Sequence, residues 1–412
     1  MELMCRLPNT GAVRWGGALA CVFTLACFGC GENTSRLIYP EHVDTSDAGT
    51  TMSAIGTPIG YATVPTGDIQ STTGGGVQPA DFVATCSELK AMLEDTNPRV
   101  VVVTSPIDCH LSTPVATPTC EHACDDATND TSRKTYRVLP SDAADCSAIG
   151  GATTDPIVQK TRNETVINVS SNKTLLGEGS GNSVVGATLY ISGQSNVIIQ
   201  NLTLGDINPN LLEAGDAITL DASDHVWVDH CTFSRISDGF VDAIEGSRSI
   251  TISWNRFDGA NPDSCAGQHN YANTIEDVSV TFFGNFYDHT LGCSPKLSQG
   301  SKAHLFNNYW LNVLYYSIQV ASESQALIQG NDFEESQQPY YASDSCFGDA
   351  TPCGISAPAD TPNVFEGISA TENHEVGGTV AALPYDASTY QMQLASAAKS
   401  AVIATAGATL NP

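Results

Sequence analysis

The sequence predicts an all-β fold, a single chain wound as a parallel β-helix behind an N-terminal capping helix. Three observations carry this. Six short strand-like segments recur with their terminal turn residues 29, 25, 30, 23 and 23 positions apart. No helical period separates them, and the two-residue hairpin turns that a propeller or sandwich needs are scarce. Strands at this period bury a face only by stacking coil on coil.

The elements are read from the N-terminus. Arg6 and Arg14 precede an apolar run over residues 16–29. Fourteen residues fall short of the ~20 that a membrane span needs but suit the hydrophobic part of an export signal. Residues 1–30 are therefore read as a signal peptide, and Cys30 and Cys27 compete as a lipoprotein-type acceptor. Ten cysteines remain after processing, an even number that suits disulfides in an exported protein. Residues 31–78, rich in Ser, Thr, Gly and Pro, read as a flexible linker. The β-helix domain is placed at 79–412. It opens with apolar residues at helical spacing over 86–94 and a buried strand over 99–104, suited to cover the exposed end of a stack. Residues 105–150 carry four cysteines and read as a disulfide-held excursion.

The repeats are residues 197–201 (VIIQN), 226–230 (VWVDH), 250–255 (ITISWN), 280–285 (VTFFGN), 304–308 (HLFNN) and 327–331 (LIQGN). Leu202, Phe233, Phe257, Phe286, Tyr309 and Phe333 follow them as the expected stacked core residues. Asn at the turn tolerates the left-handed conformation, and stacked Asn side chains can bond along the axis. The role of residues 334–412 stays open.

Seventeen Lys and Arg against 45 Asp and Glu give a formal charge of −28. That balance excludes nucleic acid as a partner, because the surface repels phosphate backbones. A monomer is expected.

With these residues in view, the chain resembles the pectate lyase and pectin lyase family, polysaccharide lyase family 1. The resemblance rests on residues 172–180 (NKTLLGEGS), 215–220 (GDAITL), 226–234 (VWVDHCTFS), 238–242 (DGFVD) with Gly246 and Ser247, and 307–310 (NNYW). It implies a right-handed β-helix, an acidic polysaccharide (galacturonan) as substrate, and cleavage of α-1,4-galacturonan by β-elimination. Removing a C5 proton next to a carboxylate builds negative charge that a nearby cation must offset. Ca2+ held by carboxylates supplies that charge and lets an acidic protein hold a polyanion.

The resemblance implies Asp216, Asp238 and Asp242 as calcium ligands. Nearly equal phase in the repeat puts Asp216 and Asp242 on one face of adjacent coils. Asp238 and Asp242 would stand ~13 Å apart on a straight strand, so a bend is required, and Gly239 allows it. Ala214 departs from the family, which often carries a further Asp there. Asp229 and His230 read as structural, and Cys231 as core or disulfide.

A larger departure falls at residues 292–297 (GCSPKL). Where the family has the Arg taken to abstract the C5 proton, this chain has Cys293. Lys296 keeps a cation after Pro295, the second family Arg is Ser298, and the assisting Lys aligns near Pro262. Three readings of Cys293 stand: a disulfide to Cys265, a reduced thiol, or the base itself. The functional expectation is an exported, calcium-assisted lyase with altered catalytic residues. The alternative is a non-catalytic, calcium-dependent pectin-binding surface protein.

Overall fold

The structure is a computed structural model. It describes residue 54, residues 56–124, 133–265, 267–269 and 271–342, residue 346, and residues 353–367, 377–390 and 392–410. The signal peptide at 1–30, with Cys27 and Cys30, and the linker up to residue 53 lie outside the described residues.

Three parallel sheets of ten, eight and nine strands form among the described residues, and the chain visits them in turn on each coil. This is a right-handed parallel β-helix. The six repeats are strands of the ten-stranded sheet, from Ser195–Gln200 to Gln325–Gln329. Their register pairs Val226 with Ile250 and Val228 with Ile252, so alternate residues point inward along the whole stack.

The turn after this sheet separates two roles that the sequence reading had merged. The left-handed position is taken by Asn201, His230, Trp254, Gly284, Asn307 and Gly330. The hydrogen-bonded ladder starts one residue later. Asn255 Nδ2 donates to Asn285 Oδ1 at 3.1 Å, Asn285 to Asn308 at 2.9 Å, and Asn308 to Asn331 at 3.1 Å. The core stack is likewise shifted at three of the expected positions, the first being Leu204, which pairs with Phe233 in place of Leu202. It runs Phe233, Phe257, Tyr287, Trp310, Phe333, Phe365, with ring centroids 4.6–5.6 Å apart. Phe286 and Tyr309 face outward, where the C-terminal helix α2 (Ala395–Thr405) covers them with Val402.

Helix α1 (Cys86–Glu94) starts at a capping box in which Thr85 and Glu88 satisfy each other's backbone N–H groups. Its Leu89 and Leu93 are fully buried, and it packs on the first strands of two sheets. Residues 56–78 correct the flexible-linker reading. Tyr61 N–H donates to Thr281 Oγ1 at 3.1 Å, Ala62 N–H to Thr251 Oγ1 at 3.1 Å, and Gly75 N–H to Thr174 Oγ1 at 3.0 Å. Outward threonines of the ten-stranded sheet thus bind this strap to the coils, a role that composition alone does not disclose. Asp229 is buried and accepts from Gln200, Ser253 and His230, which fits the structural role expected of it and of His230.

Candidate active site

The site forms on the outer face of the eight-stranded sheet. Parallel register there builds one outward row: Tyr190 pairs with Thr219 and Thr219 with Asp242. Ala243 pairs with Ile275, which sets Asp242 beside Thr274, and Thr274 pairs with Lys296. Gln319 and Tyr341 extend the row. All of these side chains are half-buried, giving a polar floor with an aromatic ring at each end.

Asp216, Asp238 and Asp242 converge beside this row, each offering a carboxylate oxygen within 4.8 Å of the others. The geometry differs from equal phase on adjacent coils, because Thr219 and not Asp216 stands opposite Asp242. Asp216 lies in the turn before its strand. There its Oδ2 accepts from Thr219 Oγ1 at 2.5 Å and its Oδ1 from the Gly239 N–H at 2.9 Å. Asp242 Oδ1 accepts from the Thr274 N–H at 2.8 Å. The chain does bend between Asp238 and Asp242, and Gly239 is needed there for space: a Cβ would meet Asp242 Oδ1 at 2.2 Å.

Burial raises the pKa of all three carboxyls, and those of Asp238 and Asp242 go well above the ordinary carboxylate range. Repulsion from Asp216 adds to both, with Glu213 adding at Asp238 and Asp238 adding at Asp242. Three anions this close ionise together only when a cation offsets them. Clustered carboxylate oxygens with lone pairs left over are the hard donors that calcium prefers, so the residues fit that ion.

Lys296 opens the strand Lys296–Ser298, two strands along the row from Asp242. Cys293 lies in the turn before it in the left-handed conformation, and its side chain is 2% exposed with Sγ 3.4 Å from the Tyr316 hydroxyl. The disulfide reading is corrected. Cys265 bonds to Cys124 at a Cα separation of 5.4 Å, and Arg133 donates to the Cys265 carbonyl at 2.9 Å. Cys231 is also a reduced, buried core thiol, pushed up to about 12 by burial.

Arg137 and Glu213 were not singled out from the sequence. Arg137 belongs to the disulfide-held excursion, which runs beyond the expected residue 150: strands Val115–Ala123, Lys134–Val138 and Ile157–Arg162 form a separate antiparallel sheet. Its Nε lies 3.3 Å from Glu213 Oε1, and its charge favours ionisation of Asp238. Arg137 is far from the repeats in sequence and follows no period, so no pattern could have flagged it.

The fold and site define a parallel β-helix protein with a carboxylate cluster on an outer sheet face, and comparison with known proteins supplies its family. Residues 132–411 match the family model described as pectate lyase. Pectin lyase D of Aspergillus niger is 34% identical over 289 residues, covering 68% of this chain and 76% of that protein. Probable pectin lyase F-2 of Aspergillus terreus is 32% identical over 297 residues, covering 70% of this chain and 59% of that protein. Among solved structures, a pectate lyase from Bacillus sp. N165 in complex with trigalacturonate superposes with a TM-score of 0.59 at 20% identity, over 85% of this chain and 98% of that one. The chain belongs to the pectate lyase family and is a polysaccharide lyase.

Proposed function

We propose that the chain is an exported, calcium-assisted lyase that cleaves α-1,4-galacturonan by β-elimination. The observation that carries this reading is the cluster of Asp216, Asp238 and Asp242 beside the row that contains Lys296. The similar pectin lyases and the trigalacturonate in a structural neighbour support a galacturonan substrate.

Asp216, Asp238 and Asp242 would hold calcium. Bound there, the ion supplies positive charge next to a uronate carboxylate and so favours loss of the adjacent C5 proton. Lys296, in its neutral form, accepts that proton. The C5–H electron pair becomes the C4=C5 double bond, the C4–O bond breaks, and the departing sugar oxygen takes a proton from solvent. Cys293 is not the base in this scheme, because its thiol is turned into the protein against Tyr316. Asn273 helps to fix the base: its N–H donates to the Cys293 carbonyl and its own carbonyl accepts from the Lys296 N–H, both holding the turn that presents Lys296.

Export is supported by four disulfides, Cys86–Cys109, Cys120–Cys146, Cys124–Cys265 and Cys346–Cys353, which persist in oxidising compartments. A lipid anchor at Cys27 or Cys30 belongs to the same reading.

The test is incubation with polygalacturonate and with methylated pectin, with calcium and with chelator, following the ultraviolet absorbance of the unsaturated product. Calcium-dependent product is expected. Calcium-dependent binding without product would return the pectin-binding alternative.

A further inference from the structure

Arg137 is held at the acid cluster from outside the β-helix. Its strand docks on the loop that leads to Asp216: Val138 N–H donates to the Leu212 carbonyl at 3.0 Å, and Leu212 N–H donates to the Tyr136 carbonyl at 2.8 Å. The guanidinium is fixed on three sides. Nη1 donates to the Ile149 carbonyl at 2.8 Å, Nη2 to the Tyr271 hydroxyl at 2.6 Å, and Nε faces Glu213 at 3.3 Å.

A guanidinium carries five N–H donors in a planar fork. Two hydrogen bonds use one N–H on each terminal nitrogen and the ion pair occupies the Nε side, so among the described residues one N–H on each terminal nitrogen has no partner. The side chain is 18% exposed, so the remaining donors are pre-positioned and largely stripped of water. Two N–H groups on neighbouring nitrogens match the two oxygens of a carboxylate.

We infer that Arg137 is a specificity-determining residue that receives a free uronate carboxylate of the galacturonan next to the sugar held at the acid cluster, selecting unesterified over methyl-esterified substrate. The inference rests on the lyase site proposed above. A galacturonan carries a carboxyl group on every sugar, so a chain with one carboxylate at the cluster presents others along its length. Methyl esterification removes the charge and one good acceptor oxygen, and with them the paired contact.

The experiment is calorimetric binding of trigalacturonate and of its methyl ester in calcium buffer, by the wild-type chain, Arg137→Gln, Arg137→Lys and Tyr271→Phe, with melting temperatures recorded for each. Arg137→Gln should weaken trigalacturonate binding by about tenfold or more, the range of a lost charge-assisted contact, and leave the ester within about twofold. Arg137→Lys, which keeps charge without the fork, should recover part of the loss, as should Tyr271→Phe, which only loosens the fork. Should Arg137→Gln fail to fold, the latter two variants carry the same comparison. Equal losses for both ligands, or no loss for either, would overturn the inference while leaving the lyase reading intact. A wild-type chain that binds neither ligand would overturn both.

Discussion

Asp242 and Lys296 stand in one outward row of the eight-stranded sheet, with Thr274 between them. Two strand spacings separate them by about 10 Å. Thr274 fixes both neighbours through its backbone, since its N–H donates to Asp242 Oδ1 and its strand pairs directly with that of Lys296. The proposed calcium-holding carboxylate and the proposed proton acceptor are thus spaced by the sheet itself, at a separation that leaves room for a sugar between them.

From this spacing, Lys296→Gln should lower kcat by about 10²–10⁴, the usual contribution of a general base, with little change in melting temperature because the side chain is half-buried on an outer face. Cys293→Ser should change kcat by less than about threefold under the same scheme, since the buried thiol does not reach the substrate face. Initial rates on polygalacturonate check both. A large loss in the serine variant together with a mild loss in the glutamine variant would reverse the assignment.

Calcium binding should be visible without turnover. A ligand that binds only the folded state at 100 times its Kd adds about 2.7 kcal/mol, which raises the melting temperature by several degrees. Asp242→Ala should abolish most of that calcium-induced rise, because it removes one of the three converging oxygens. Replacing the exposed Asp68, far from the cluster in sequence, should leave it intact. Differential scanning calorimetry with and without calcium decides; an unchanged rise in Asp242→Ala would remove the cluster as the calcium site.

The same cluster sets a pH dependence of unusual sign. An ordinary Asp titrates near 3.8, and burial and mutual repulsion raise Asp238 and Asp242 well above that value in the fold. Between the unfolded and folded values the native state holds more protons than the unfolded chain, so stability falls as pH rises through that window. Without calcium, Asp238→Asn should therefore melt higher than wild type at pH 7. The difference should shrink as pH is lowered towards the unfolded carboxylate range, about 4. A variant that melts lower than wild type at pH 7 without calcium would show that the carboxylates are not in conflict.

Much of this was readable from residues. The six segments that end at Asn201, His230, Asn255, Asn285, Asn308 and Asn331 are all strands of one sheet followed by its turn. The three aspartates do converge. What the pattern blurred is a one-residue phase. His230 and Asn255 look equivalent as polar turn residues, yet His230 stacks on Trp254, and the Cys231 N–H donates to the Asn255 side chain. A left-handed turn and a side-chain ladder occupy consecutive positions, and Asn suits either. Irregular segments gave less, because their order comes from contacts distant in sequence. The strap at 56–78 is held by Thr174, Thr251 and Thr281, and Arg137 by Tyr271 and Glu213.

The Cys124–Cys265 bond is where such a distant contact matters most to stability. It closes a separation of 141 residues and ties the antiparallel excursion to the loop beyond the acid cluster. Arg133 reinforces that junction through the carbonyls of Cys265 and Pro262. Loops of this size lie at the upper end of disulfide stabilisation, about 2–5 kcal/mol. The paired replacement Cys124→Ser with Cys265→Ser should lower stability by that amount without leaving a stray thiol. Because the β-helix core does not depend on the excursion, the variant should keep its strand signal by far-ultraviolet circular dichroism. Yet it should lose affinity for trigalacturonate, since Arg137 reaches the acid cluster from the sheet that the disulfide anchors. Chemical denaturation and calorimetry on one preparation measure both effects. Lowered stability with undiminished trigalacturonate affinity would mean that the hydrogen bonds to Leu212 hold the excursion in place on their own.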